Sequence, residues 1–290
     1  MVDLGSRAAA DILENDMHIV RMLCKYFREF PEERVLLFQL LITVGEFDAA
    51  VYPTCVIEGI LEAVQNILLS QPLEDINEDI LLLSLMWLAN AYVRGNLSVQ
   101  FVEELDQQLL NRLFDILIVP DDNLPLASMK VIVAINSFYR RRFNNQVMKV
   151  LQSHPSSRVF GSNLIQIFNR GEHLSLRPTL KLFLDLFARS RSGALFYHND
   201  LHVLVDVLLR ELTNLEASDI LKQDYLRVTH GLLRNTGYMN DSYRKQDLLS
   251  LLEDVANSPG QNDDAALQEH LLECQKLAQA ILSECDASLH

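Results

Sequence analysis

Apolar residues in this chain recur every three or four positions, and strict two-residue alternation is nearly absent. That period winds into a stripe along one side of an α-helix. Asp16–Phe30 places Ile19, Leu23, Phe27 and Phe30 on one side, and Arg34–Gly45 is apolar almost all round, which predicts a central position. Cys55–Ser70, Asp75–Gly95, Val99–Val119 and Leu126–Arg142 continue the pattern, with Trp87 expected in the core. Asn145–Gln152, Ser157–Asn169, Leu174–Arg189, Asp200–Asn214, Ser218–Asn235, Tyr243–Asn257 and Asp263–Cys285 complete it. Breakers sit between these stretches, at Pro31, Pro53, Gln71-Pro72 and the cluster Pro120-Asp121-Asp122-Asn123-Leu124-Pro125. The expected fold class is all-α, an armadillo/HEAT-like α-solenoid of roughly a dozen helices, with a compact irregular bundle as the alternative.

The clearest single helix begins near Phe196-Tyr197-His198-Asn199-Asp200. Asn199 or Asp200 supplies a short side-chain oxygen for an N-cap. Leu201, Leu204, Val205, Leu208, Leu209, Leu212 and Leu215 form the apolar face, and His202, Asp206 and Arg210 form a polar row opposite it. As domains, the spacing predicts one armadillo-like unit over 1–257, a loop over 258–264 at Pro259-Gly260, and a C-terminal helix over 265–290 packed on the same unit.

Composition narrows the class. Only 10 Gly and 8 Pro occur in 290 residues, and 49% of the chain is hydrophobic, enough for a large core. The longest apolar runs, Val35–Val44 and Ile80–Ala89, fall well short of the ~20 residues of a membrane span. The first residues carry no basic-then-apolar leader pattern. Four scattered cysteines read as reduced thiols, so the expected location is the cytoplasm. Net charge is −14 but uneven. Residues 1–119 carry 7 basic and 19 acidic groups, residues 120–250 carry 17 and 12, and residues 251–290 carry 1 and 8. An acidic total argues against general nucleic-acid affinity, and a basic middle suits either a charged partner or ordinary solvated faces.

Motifs of covalent chemistry are missing from the sequence. There is no Gly-x-Gly-x-x-Gly, no Walker loop, no Gly-x-Ser-x-Gly elbow and no Cys-x-x-Cys. His198, His202 and Asp206 have ligand-like spacing, but a cap at Asn199 or Asp200 would leave His198 ahead of the helix and the metal shell incomplete. The expectation is therefore a non-enzyme without metal or cofactor. Two basic clusters remain, Arg140-Arg141-Arg142 and Arg189-Ser190-Arg191. Each ends a helix, where cations complement the dipole, and each also suits a partner surface beside aromatic residues.

Leu176-Arg177-Pro178-Thr179-Leu180-Lys181-Leu182-Phe183-Leu184-Asp185-Leu186-Phe187, then Phe196-Tyr197-His198-Asn199-Asp200-Leu201 and Val205-Asp206-Val207-Leu208-Leu209-Arg210-Glu211-Leu212, resemble the leucine-rich domain of the WISH/DIP/SPIN family. That family includes the animal NCK-interacting protein with an SH3 domain and smaller fungal relatives. The resemblance implies an armadillo-like helical domain that binds the actin-related protein 2/3 complex. It further implies activation of that complex without a preformed filament, giving linear actin filaments. Actin, formins and a second copy of the chain are the further partners it implies, at the actin cytoskeleton. A passive scaffold that binds a peptide or helix is the alternative. These residues include no SH3 domain or Pro-rich segment, so adaptor binding through those parts does not carry over. The residues expected to meet the partner are Arg140, Arg141, Arg142, Arg189, Arg191, His202, Asp206 and Arg210.

Overall fold

A computed structural model describes residues 17–95, 107–139, 145–171, 176–188, 192–216, 219–240, 243–258 and 264–287. Among them are fourteen α-helices and no strand. Two compact units divide the chain, Met1–Ser156 and Ser157–His290.

The first unit holds α1 (His18–Glu29), α2 (Arg34–Phe47), α3 (Val51–Ile57), α4 (Ile60–Leu69), α5 (Glu78–Arg94), α6 (Gln107–Ile116), α7 (Leu124–Phe138) and α8 (Gln146–Ser153). Sequence reading joins α3 and α4 into one helix. The chain breaks there because Gly59 sits at φ 81°, a left-handed conformation that ends α3 and opens α4. Asn77 caps α5 by accepting from the Ile80 N–H at 3.1 Å. The core is aromatic: Trp87, Tyr52, Tyr92, Phe27, Phe38 and Phe114 are all enclosed. Phe30, expected on the apolar side of its helix, is not, being about two-fifths exposed. Phe30 lies past the end of α1, where helical spacing no longer sets its direction.

The second unit holds α9 (Ser157–Arg170), α10 (Leu176–Phe187), α11 (His198–Asn214), α12 (Ile220–Asn235), α13 (Lys245–Ala256) and α14 (Ala265–Ala287). Asp219 caps α12 through the Leu221 N–H at 2.8 Å, and Asp264 caps α14 through the Ala266 N–H at 2.8 Å. A file of rings runs through the core, Tyr225 to Phe168, Phe183, Phe187 and Phe196, with successive centroids 5.0–6.1 Å apart. Gly231 lets α12 lie on α10, because a Cβ there would stand 2.7 Å from the Phe187 Cβ.

Within each unit, helices pack on partners one to three helices away in sequence, and α2 packs on α5. In the first unit α5 packs on α7 and α4 on α6; in the second α9 packs on α11, α10 on α12, α11 on α13 and α12 on α14. This all-α, solenoid-like stacking follows from amphipathic helices that each bury one stripe between two neighbours. Among the described residues no helix is long and apolar enough to cross a membrane.

Candidate functional site

The polar row on α11 is where sequence and structure meet. Leu201, Leu204, Val205, Val207, Leu208, Leu209 and Leu212 bury one side of this helix. Four-residue steps then align His198, His202, Asp206 and Arg210 on the other side. The helix starts earlier than Asn199 or Asp200: Tyr197 is the N-cap residue, and Asp200 in the first turn accepts from the Tyr197 N–H at 3.4 Å. His198 therefore belongs to the helix, and its ring lies 4.4 Å from that of His202, edge to face. This corrects the expectation that His198 precedes the helix. Among the described residues no group of three or more His, Cys, Asp or Glu is placed to hold a metal ion.

The row is covered along part of its length by the residues that open α13. The Tyr243 ring lies flat on His202, with centroids 4.1 Å apart and planes 10° from parallel. Its hydroxyl donates to Asp206 Oδ2 at 2.8 Å. Arg244 donates through Nη1 to Asp206 Oδ1 at 2.9 Å and through Nε to Asp247 at 2.8 Å. Asp206 thus has both oxygens engaged and fixes α11 against the start of α13. Arg244 adopts φ 45°, a conformation that non-glycine residues disfavour. The two carboxylates that grip its guanidinium hold it there. They also raise its pKa, the Asp206 bond first, and the same carboxylate raises that of the Tyr243 hydroxyl.

Arg210, one turn further along, reaches away from this cluster. Its Nη1 donates to Asn169 Oδ1 at 3.2 Å, its Nη2 to the Asn169 carbonyl at 3.4 Å, and its Nε to Glu211 at 2.8 Å. It ties α11 to the end of α9 and satisfies a carbonyl of the last α9 turn. Between α11 and α13 an open cleft of about 540 Å³ remains, walled by Asp206, Arg210, Arg244, Asp247 and Asp254, with Leu209 and Leu251 at its floor. Such a surface can bind another polypeptide by paired charges, side-chain hydrogen bonds and a small apolar floor.

Of the expected partner residues, His202, Asp206 and Arg210 stand in one row on α11. Arg140, Arg141, Arg142, Arg189 and Arg191 lie outside the described residues. Tyr243 and Arg244 were missed because they read as the first turn of the following helix, and nothing local signals a partner 37 residues upstream. The left-handed backbone at Arg244 starts α13 at Lys245 instead.

Comparison with known proteins agrees with this segment. Residues 121–248 match the SPIN90/Ldb17 leucine-rich domain. The protein LDB17 of Eremothecium gossypii is 35% identical over 136 residues, 44% of this chain and 30% of that protein. LDB17 of Saccharomyces cerevisiae is 35% identical over 161 residues, 52% of this chain and 33% of that protein. Protein dip1 of Schizosaccharomyces pombe is 36% identical over 97 residues, 32% of this chain and 25% of that protein. The chain thus spans a third or less of the length of these relatives. Among solved structures, an engineered protein superposes with a TM-score of 0.50 at 13% identity, covering 91% of this chain and 98% of its own, a likeness of fold alone. The matched residues 121–248, a little under half of the chain, contain both the row on α11 and the Tyr243–Arg244 pair, so this part of the chain is similar to the SPIN90/Ldb17 leucine-rich domain.

Proposed function

We propose that this chain binds the actin-related protein 2/3 complex and promotes nucleation of linear actin filaments without a preformed filament. The family whose leucine-rich domain residues 121–248 match is linked to activation of that complex, and this similarity supports the reading. The act required is differential binding. A partner with inactive and active arrangements is shifted only by the difference in its affinity for the two. Moving such a balance from 1:99 to 99:1 takes about 10⁴-fold preference, or about 5.5 kcal/mol. A surface fixed in shape serves this better than a pliant one, because its ordering is already complete before contact. The Tyr243–His202 stack and the Arg244–Asp206–Asp247 bridge supply that fixity on α11 and α13.

In this reading the stack is armadillo-like, the partner surface includes His202, Asp206 and Arg210 with the arginines at 140–142, 189 and 191, and the protein works at the cytoplasmic actin cytoskeleton. Actin, formins and a second copy of the chain are its further partners. A pyrene-actin assay with the purified complex and no added filaments tests it. The lag shortens in proportion to added protein; an unchanged lag overturns the reading. The open cleft between α11 and α13 supports a second reading, a passive scaffold that seats a peptide or helix of a cytoskeletal partner. That reading predicts binding to the complex with no change in actin kinetics.

A further inference from the structure

Another face of the second unit carries a different surface. Helix α14 packs on both α12 and α13. Its buried seam is Leu271, Cys274, Ala278, Ile281 and Cys285, a three-four spacing that presents one narrow stripe. Three of those five side chains are small, so the fully buried seam of this 23-residue helix is narrow, with Leu267 and Leu277 half-buried beside it. The rim is polar and charge-matched. Gln223 of α12 donates to Glu273 of α14. His230 of α12 meets Glu284 at 3.0 Å, with Arg234 at 3.9 Å from the same carboxylate. Gln223, Arg227, His230 and Arg234 recur at three- and four-residue steps, so α12 presents a largely basic stripe to an acidic helix. Residues 251–290 carry 8 acidic groups against 1 basic, in contrast to a middle segment with 17 basic against 12 acidic.

Two further observations concern α14 and its surroundings. A cleft of about 250 Å³ stays open beside its last turns, lined by His230, Leu233, Arg234, Ile281 and Glu284. The segment matched to the leucine-rich domain contains all of α12 but stops at residue 248, before α14.

We propose that α14 is the resident occupant of a docking site for an acidic amphipathic helix of a partner protein. The α12–α13 face takes a helix with a narrow seam of small and aliphatic residues and carboxylates at the places of Glu273 and Glu284. α14 yields the site when such a helix arrives. The open cleft at His230 and Arg234 is where the incoming acidic helix gains its first contacts. Because the competing helix is in the same chain, its effective concentration is high and the site stays closed to weak or poorly matched helices. The inference is independent of the actin reading and is tested without actin.

The experiment uses the full chain and a fluorescein-labelled peptide of residues 264–287 as the probe. Glu273→Lys with Glu284→Lys should loosen α14, so the double variant binds the peptide on the order of tenfold tighter than the unmodified chain does. Adding His230→Glu and Arg234→Glu to that variant should remove the gain. Equal anisotropy titrations for the unmodified chain and the double variant overturn the proposal. Hydrogen exchange on the unmodified chain decides the matter even if a variant fails to fold. Amides of α14 should exchange on the order of tenfold faster than those of α12, and faster still at high salt. Equal protection of α12 and α14 overturns the proposal.

Discussion

Replacing Tyr52 by Phe removes one oxygen from the middle of the first unit. Tyr52 is fully enclosed, with its ring 6.2 Å from that of Trp87 and its hydroxyl against Gly45. That hydroxyl has no hydrogen-bond partner among the described residues. An unpaired buried hydroxyl costs ~1–3 kcal/mol of lost hydration, and the gap left by one oxygen costs a fraction of that. The substitution should therefore stabilise the protein by ~1 kcal/mol. With a urea slope of ~2 kcal/mol per molar, the midpoint rises by ~0.5 M at unchanged slope. The same burial should appear in alkali. Burial, opposed by Arg94 and aided by Glu46 and Cys55, pushes the Tyr52 hydroxyl up from 10.0 to about 12. The unfolded chain then loses this proton first, so stability falls as pH rises from about 10 toward about 12, by up to ~2–3 kcal/mol from this group. The Tyr52→Phe variant should lose less over that window, with a remaining slope from Tyr92 and Tyr225, whose hydroxyls burial also pushes up. Urea titrations at neutral pH and midway through that alkaline window measure both effects. A loss of about 1 kcal/mol or more at neutral pH would mean that the hydroxyl has a partner, such as an ordered water, and would refute the reasoning.

Gly231→Ala drives a methyl group into the Phe187 Cβ at 2.7 Å, so it should cost ~1–3 kcal/mol by overpacking, read as a lower melting temperature. Asp219→Ala removes the α12 cap and should cost ~1 kcal/mol, which a urea midpoint measures. Asp206→Asn weakens the bond that raises the Tyr243 hydroxyl, so the tyrosinate absorbance of that residue should move back toward its ordinary pH; an unmoved titration would count against the Asp206–Tyr243 link. The Glu284 carboxyl is held below its usual range, first by its bond to His230. Its contribution to seating α14 is therefore complete above the ordinary carboxylate range and lost as pH falls through the depressed value. Exchange of α14 amides followed into acid should show that loss, and Glu284→Gln should flatten it.

Helix type was legible because burial on one side imposes a three-four rhythm on the sequence. The rhythm on α11 placed Leu201 through Leu212 on the buried side and His202, Asp206 and Arg210 on the other. It said nothing about what lies over that second side. The covering pair, Tyr243 and Arg244, acts through a ring stack and a bridge between segments far apart in sequence, and neither leaves a local period. The break at Gly59 was hidden for a related reason: apolar spacing runs on across residues 55–68, and only the backbone angle at one glycine divides it. Helix starts shifted by a turn or less where the cap residue was of an uncommon type, as with Tyr197 ahead of α11. The similarity to the leucine-rich domain rests on a resemblance, since Phe-Tyr-x-Asn-Asp-Leu and the leucine repeat that follows are an arrangement that composition and periodicity alone do not single out.

Packing between helices close in sequence also has a bearing on time. Each helix finds its partners within a few tens of residues of itself, so little loop entropy is lost before a contact forms. Such a chain should fold quickly and from more than one starting place. On the ribosome, α1 to α4 can close on one another before α5 emerges, and within each unit every later helix then docks on a surface already made.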